Sequence, residues 1–540
     1  MAWFADPLDG LHDPSRLPDA GLLLGRLHAA RDHGERVLVF GDFDADGLTG
    51  LAIMTIALRR FGLAVEPYVP SRVDEGHGLS MAALDVAAAS GSTIVVTVDC
   101  GSTSVAEIDA ANARGIDVIV TDHHRVPAIM PAALAVVNPH RPDSTYPDRR
   151  LAGSGVAFKV AQLLLAGEPG GAAAALDLSD LATIGTVADV APVVGENRAI
   201  ARLGLERLRR APRPGIVALL ERARIAPDAV DLETVAFAIA PRLNAAGRVG
   251  EALEAARLLL ATDPAEASIH ADALEAANMT RRDLMKSAVT EARAAVAEMT
   301  ADAATVVRGP WGVGIVGLVA ARLAADRGRP AVVGAELGEV VRASCRSDGS
   351  LDLAATLERC ADLFVRFGGH AGAAGFELPT ARWDEFRERF LRLAAETEPP
   401  DPRVAISIDL ALPAIDVDYG LYRELAGLAP CGPGNPDPLV AVLGLTVTRV
   451  RAATGGHSQL TLRRERDVLD GIAFGRPDIA EVCREGDRLD VVARLTSRRF
   501  GGFESLQLDI RDVATSGSHA HTAAVLAGRG ASRLPVASAP

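Results

Sequence analysis

The sequence predicts an α/β protein in three parts: a doubly wound parallel-sheet domain, a second α/β domain joined to it by a long helix, and a C-terminal OB-like β-barrel. Three observations predict it. Residues 36–139 alternate β-branched apolar runs (RVLVFGDFD, TIVVTVDCG, DVIVTDHH) with helical stretches, the pattern of a parallel sheet covered on both faces. Gly62, Gly91 and Gly115 each close one of those helical stretches, where a left-handed cap favours glycine. After residue 403 the character changes to short strands separated by glycine-containing turns, as in a small barrel.

The elements follow in order. Residues 1–198 form the first α/β domain. The stretch LSDLATIGTVADVAPVVGENRAIARLGLERLRRA reads as helix, loop and a long helix, and residues 199–232 are read as the linking helix. Residues 233–397 form the second α/β domain, with an Ala-rich helical run inside it, and the Pro-rich seam TEPPDPR closes it. Residues 398–514 form the barrel. The stretch 515–540, rich in Ala, Ser and Gly without periodicity, reads as a disordered tail.

Composition narrows the function classes. A chain of 540 residues with 49% apolar and 23% charged residues is globular and multidomain. It has no apolar run of membrane-spanning length, and its start carries acids and prolines where a signal peptide would be basic and then apolar. A soluble, cytoplasmic protein that uses no membrane is the expectation. Five scattered cysteines without CxxC spacing argue against a thiolate zinc site and a disulfide framework. The net charge of −14 does not itself suggest a nucleic-acid partner.

The chemistry lies at the strand ends. In GDFDADG, Asp42, Asp44 and Asp46 recur at every second residue after a β-run, so at least two carboxylates converge there. Like charges so close repel unless a cation sits between them. Asp99 ends the next apolar strand, and Asp122, His123 and His124 end the one after. Ligand sites in open parallel sheets lie outside the carboxyl ends of the strands, so these motifs should meet. Taken singly, Asp99 also reads as a helix N-cap and His124 as a surface histidine. Asp189 is a lone acid in the apolar stretch TIGTVADVAPVV, where burial without a partner is costly. Carboxylates plus imidazole favour Mn²⁺ or Mg²⁺, with Mn²⁺ the better match.

GDFDADG, VDCG, TDHH and GTVAD, in that order, resemble the motifs of the DHH phosphoesterase superfamily. LAGSGVAFKVAQ, PRLNAAGR, FGGHAGAAGFEL and LAPCGPGNPDP, followed by an OB-like region, resemble the bacterial RecJ single-stranded-DNA exonucleases. The resemblance implies DHH, DHHA1 and OB-like domains and a metal-dependent exonuclease of DNA repair and recombination, working 5′ to 3′ with two ions. It also implies single-stranded DNA as substrate, a single-strand-binding protein and a helicase as partners, and a monomer. The metal ligands it implies are Asp42, Asp44, Asp46, Asp99, His123 and Asp189, with Asp99 bridging; the division of Asp42, Asp44 and Asp46 between the ions stays open. His124 would contact the scissile phosphate and Asp122 would orient the histidine pair. Asn244 and Arg248 would hold substrate phosphate, and His370 would approach the reacting phosphate from the second domain.

The residues themselves agree in part. Gly368 and Gly369 let a backbone approach a ligand, and Arg248 offers a two-pronged phosphate donor, although a glycine-rich turn and a surface salt bridge are the plain alternatives. Phe474, Phe500 and Phe503 are candidate stacking platforms in the barrel, with Arg463, Arg464, Arg498 and Arg499 as phosphate partners; packing into the barrel is the alternative for each Phe. Lys159 reads equally as a DNA contact or a solvated helix lysine. The chain departs from the family at Gly312, where a histidine usually follows the tryptophan, at His77, usually tyrosine, and at Cys431, usually phenylalanine. Neither His77 nor Cys431 is expected to touch the metal cluster.

Overall fold

A computed structural model describes residues 2–211, 213–297, 303–397, 405–465, 467–500 and 503–519; the side chains of Arg499, Phe500 and Phe503 and most of the tail read as disordered lie outside the described residues. The chain divides into two compact units, 1–401 and 402–540.

The first unit opens with a parallel sheet of five strands: β1 (Arg36–Gly41), β2 (Ala64–Tyr68), β3 (Ser92–Val98), β4 (Asp117–Thr121) and β5 (Ala135–Val137), in the order β2-β1-β3-β4-β5. Strand alternation divides the side chains between two cores. Val37, Val39, Ile94, Val96 and Ile119 enter one apolar cluster, while Leu38, Phe40, Val95, Val118 and Val120 enter the other. The order reverses between β1 and β3, and that switch point opens a crevice at the carboxyl ends of the strands.

The segment read as a single linking helix is two, Gly195–Arg210 and Pro214–Ala223. Pro214 has no N–H to continue a helix and sits at the first helical position of the next. The long connection is instead the 34-residue helix Pro264–Ala297. Its early residues Ala267, Ala271 and Leu274 pack into the core of the first sheet, and its late residues Ala288, Val289, Ala292 and Val296 into that of the second.

The second sheet holds β6 (Thr305–Gly309), β7 (Ala331–Leu337), β8 (Val340–Arg346), β9 (Arg366–Gly369) and β10 (Ala373–Pro379), in the order β6-β7-β8-β10-β9. Only β6 and β7 are parallel, and the helix Val313–Arg327 connects them. The second unit contains β11 (Leu410–Pro413), β12 (Val440–Ala453), β13 (His457–Arg464), β14 (Asp467–Ala473), β15 (Arg488–Phe500) and β16 (Phe503–Thr515). Pairing runs β12-β13-β14-β16-β15 and returns from β15 to β12, closing a five-stranded barrel around its own apolar core. Among the described residues no helix is long and apolar enough to cross a membrane.

Candidate active site

β1 delivers Asp42 directly after its last residue, and the turn runs into the helix Ala45–Arg60, whose N-cap is Asp44. Asp44 Oδ1 accepts from the backbone N–H groups of Asp46 and Gly47 at 3.0 and 3.1 Å. Asp46, the second residue of that helix, is held from outside: Gly153 N donates to its Oδ2 at 2.6 Å and Ser154 N to its Oδ1 at 2.9 Å. Asp99 follows β3 with φ 64°, a left-handed conformation that aspartate tolerates better than most residues. His123 and His124 follow β4.

These side chains converge. His123 Nε2 lies 3.1 Å from Asp99 Oδ1 and 3.9 Å from Asp46 Oδ2, and its Nδ1 lies 3.9 Å from Asp189 Oδ2. Potential ligand atoms form three overlapping groups: Asp42, Asp44 and Asp99; Asp46, His123 and Asp189; and Asp99, His123 and His124. Burial, then Asp42 and Asp46, raise the Asp44 carboxyl above its ordinary range. Burial and the charges of Asp46, Asp44 and Asp42 raise Asp99 further, and burial followed by Asp46 pushes Asp189 up to about 7. Asp99 Oδ1 and His123 Nε2 are buried and face each other at 3.1 Å without hydrogen-bond geometry, and neither has another hydrogen-bond partner. Buried polar atoms are rarely left so, and a cation would satisfy both while relieving the repulsion. The residues therefore fit a divalent metal site.

Asp122 does not join the groups. Its Oδ1 accepts from His123 N, His124 N and His124 Nδ1, the last at 2.8 Å, and its Oδ2 from Ser102 N. Burial pushes this carboxyl up, but the His124 hydrogen bond and charge hold it below the usual carboxylate range. The same bond raises His124 to about 9, which favours its imidazolium form.

The DHH family N-terminal domain matches residues 36–186, the DHHA1 domain 299–396 and the RecJ OB domain 408–512. The single-stranded-DNA-specific exonuclease RecJ of Dickeya dadantii is 35% identical over 509 residues, covering 89% of this chain and 88% of the relative. The chain belongs to the RecJ family.

The RecJ of Bacillus subtilis is 34% identical over 94% of this chain, which spans 64% of that relative's length. The crystal structure of RecJ from Thermus thermophilus with Mn²⁺ has a TM-score of 0.79 at 32% identity, covering 92% of this chain and 72% of that one. A structure of exonuclease RecJ bound to manganese has a TM-score of 0.62 at 35% identity, covering 72% and 97%. The Thermus thermophilus RecJ is also solved with Mg²⁺. Both are hard divalent cations, which suits this set of carboxylate oxygens and imidazole.

Other residues singled out in the sequence stand as follows. Asn244 Oδ1 accepts from Ala45 N at 2.9 Å, which ties the PRLNAAGR helix to the first aspartate motif. Arg248 is no surface salt bridge: it donates to Gly314 O at 2.9 Å, and burial, with Arg72 and Arg281 nearby, lowers its guanidinium to about 9. His370 is exposed in the turn between β9 and β10, and its Nδ1 accepts from Gly372 N; no ion pair joins it to the aspartates. Gly369 has φ 143°, and a Cβ there would lie 2.4 Å from Ala374 Cα, so its own hairpin requires glycine; Gly368 faces open space. In the barrel Phe474 is exposed, edge-on to His457 at 5.2 Å.

Two expectations are overturned. Lys159 is neither solvated nor a surface contact: it is fully buried, 2.9 Å from Glu196 Oε1, and donates to His12 O at 2.6 Å. It lies on the inward face of the apolar helix Gly153–Leu165, where an ammonium needs a buried carboxylate. His77 touches the cluster, with Nδ1 2.8 Å from Asp42 Oδ2, because Gly76 and Gly78 at φ 79° and 92° turn its loop back toward β1.

Sequence reasoning missed three further arginines. Arg248 feels Arg72, Arg281 and Arg346 as like charges, and burial lowers all three. The Nε atoms of Arg72 and Arg281 are buried without hydrogen-bond partners. The charges of Asp42 and Asp44 also act on Arg72. Nothing local marks these arginines, which come from a loop, a helix and a strand far apart in sequence.

Proposed function

We propose that the chain hydrolyses single-stranded DNA from a 5′ end at this cluster, holding two divalent cations, Mn²⁺ or Mg²⁺. The observation that supports the reading is the chaining of the ligand groups, two of which share Asp99 and two of which share His123, with Asp99 Oδ1 and His123 Nε2 buried 3.1 Å apart where they meet. Asp42, Asp44 and Asp99 would hold one ion, and Asp46, His123 and Asp189 the other, in this reading. When bound, such a pair activates a water for in-line attack and offsets charge on the leaving oxygen.

The chain's own groups do the rest. Asp122 holds the His124 ring by Nδ1, leaving the charged ring to hydrogen-bond a non-bridging phosphate oxygen as negative charge builds. Arg248, with Arg72, Arg281 and Arg346, would form a half-buried cationic cradle suited to a second phosphate such as that of a 5′ end. Asn244 and His370 complete the substrate contacts in this reading. In the second unit, the exposed Phe474 would supply a stacking surface for the strand and the exposed Arg463 a phosphate contact. Comparing 5′- and 3′-labelled single strands, duplex and RNA, each with Mn²⁺ and with Mg²⁺, tests it. Mononucleotide release from the 3′ end, or equal rates on duplex, would overturn it.

A further inference from the structure

The loop Ser71-Arg-Val-Asp-Glu-Gly-His-Gly-Leu-Ser80 lies between β2 and the helix Met81–Ser90 and is tied by its own hydrogen bonds. Glu75 closes it from inside. Its Oε1 accepts from Ser71 N at 2.8 Å, and its Oε2 accepts from Tyr68 OH at 2.9 Å and from Ser80 Oγ. The N–H groups of Glu75 and Gly76 both donate to Ser71 O, at 2.9 and 3.1 Å. Gly76 and Gly78 adopt the left-handed region on either side of His77, which a β-carbon would strain.

Two side chains of this closed loop then reach the residues around Asp42. The His77 ring packs on Phe43 at 4.4 Å between centroids, and the Arg72 guanidinium lies 4.1 Å from the same ring. Phe43 stands between Asp42 and Asp44 in the chain, so the loop grips the aspartate turn itself. An ionised carboxylate only accepts, so the 2.8 Å contact requires the proton on His77 Nδ1. Asp42 Oδ1 already accepts from Phe43 N at 2.7 Å. With Oδ2 held by His77, both oxygens are fixed in direction.

The loop is also held from its outer side. Arg342 of β8 donates to Val73 O at 2.7 Å across 269 residues of sequence, and Glu377 of β10 fixes that guanidinium at 2.6 Å. A connected path thus runs from the second sheet, through Arg342 and the loop, to Asp42.

We propose that His77 is a positioning residue for Asp42, and that its loop ties Asp42 to the second sheet through Arg342. The orientation of one metal ligand then depends on a residue that touches no carboxylate of the cluster. This rests on the reading of Asp42 as a ligand. Hydrogen bonds to ligating groups are worth about 10–100-fold in metal affinity, which sets the scale expected here.

The experiment is a calorimetric Mn²⁺ titration of the full chain, with thermal melting of each metal-free variant alongside. His77→Phe keeps a ring against Phe43 but removes the donor, and should weaken Mn²⁺ binding about tenfold or more with the metal-free melting temperature unchanged. His77→Asn sets an amide N–H near the place of Nδ1 and should restore most of the affinity. Arg342→Ala should weaken binding in the same direction by a smaller factor. Wild-type affinity in His77→Phe overturns the positioning role, as does a His77→Asn variant no better than His77→Phe. Unchanged affinity in Arg342→Ala overturns the coupling to the second sheet. Failure of the unaltered chain to bind Mn²⁺ at all, or full binding by Asp99→Asn, would instead overturn the metal reading beneath it.

Discussion

A β-carbon on Gly153 would stand 2.5 Å from both Cβ and Oδ1 of Asp99. The same glycine donates its N–H to Asp46, so the helix Gly153–Leu165 starts pressed against two carboxylates of the cluster. Gly153→Ala must push either the helix or Asp99 aside. A displacement of about 1 Å can cost on the order of 100-fold in rate, and hydrolysis should fall by at least that much. Mn²⁺ affinity should fall with it, read by calorimetry. Wild-type turnover in a folded Gly153→Ala protein would show that Asp99 need not stand where it does.

Asp189 gives a prediction in pH. Burial and the charge of Asp46 raise its carboxyl from the ordinary 3.8 to about 7. Between those values the folded chain keeps a proton that the unfolded chain has released, so this group's contribution to stability declines as pH rises from about 4 to about 7. Asparagine carries no such charge. Metal-free Asp189→Asn should melt above the unaltered protein at pH 8, and the difference should vanish near pH 4. Saturating Mn²⁺ should reverse the order at pH 8, because only the carboxylate gains from the cation. Identical melting curves across this range would mean that Asp189 is not held in the repulsive cluster.

The Asp122–His124 pair separates charge from metal binding. Because the Asp122 hydrogen bond raises His124 to about 9, Asp122→Asn should return the imidazole toward its ordinary value near 6.5. Turnover at pH 8 should then drop more than turnover at pH 6, and NMR titration of the ring should show the lowered midpoint. His124→Ala should lower turnover at every pH while keeping Mn²⁺ content. Loss of metal from His124→Ala, measured by elemental analysis, would move this residue into the ligand set.

What the sequence made legible follows from local periodicity. Asp42, Asp99 and Asp122 each come directly after a β-branched run, and in a parallel sheet the carboxyl ends of neighbouring strands share one edge, so their meeting needed no long-range information. The fixing of Asp46 did need it, since the Gly153 and Ser154 N–H groups that hold its two oxygens come from a helix far along the chain. His77 and the arginines around Arg248 were illegible for the same reason. Each reaches the site from a distant segment, and a loop histidine or a helix arginine looks alike in sequence whether it faces water or an aspartate.

Lys159 was misread because a lysine on an apolar helix is normally at its solvated edge. Here Glu196 receives it, together with Tyr146 OH at 2.7 Å and His12 N at 2.9 Å. Lys159→Ala leaves a buried carboxylate short of its cation and should destabilise the fold by about 3–5 kcal/mol. Lys159→Met with Glu196→Leu should recover part of that loss. Denaturant midpoints check both, and single-strand affinity at a temperature where each variant is folded should not change. A loss of DNA binding without a loss of stability would revive the surface role.

The last prediction divides chemistry from grip. The cluster, the arginine cradle and His370 all lie before residue 397, while the barrel beyond 402 has its own apolar core and counts as a separate compact unit. A chain ending at residue 397 should therefore fold and still hydrolyse very short oligonucleotides. Long strands should suffer more, because stacking on exposed surfaces such as Phe474 is worth about 1–3 kcal/mol for each base. That binding is the same in the ground state and the transition state, so its loss raises KM while kcat changes little. Steady-state kinetics on a short oligonucleotide and on a long single strand, with circular dichroism to confirm folding, decide the matter. Unchanged KM on the long strand would deny the barrel a part in holding DNA, whereas a collapse of kcat on the short one would mean that the barrel is needed for chemistry.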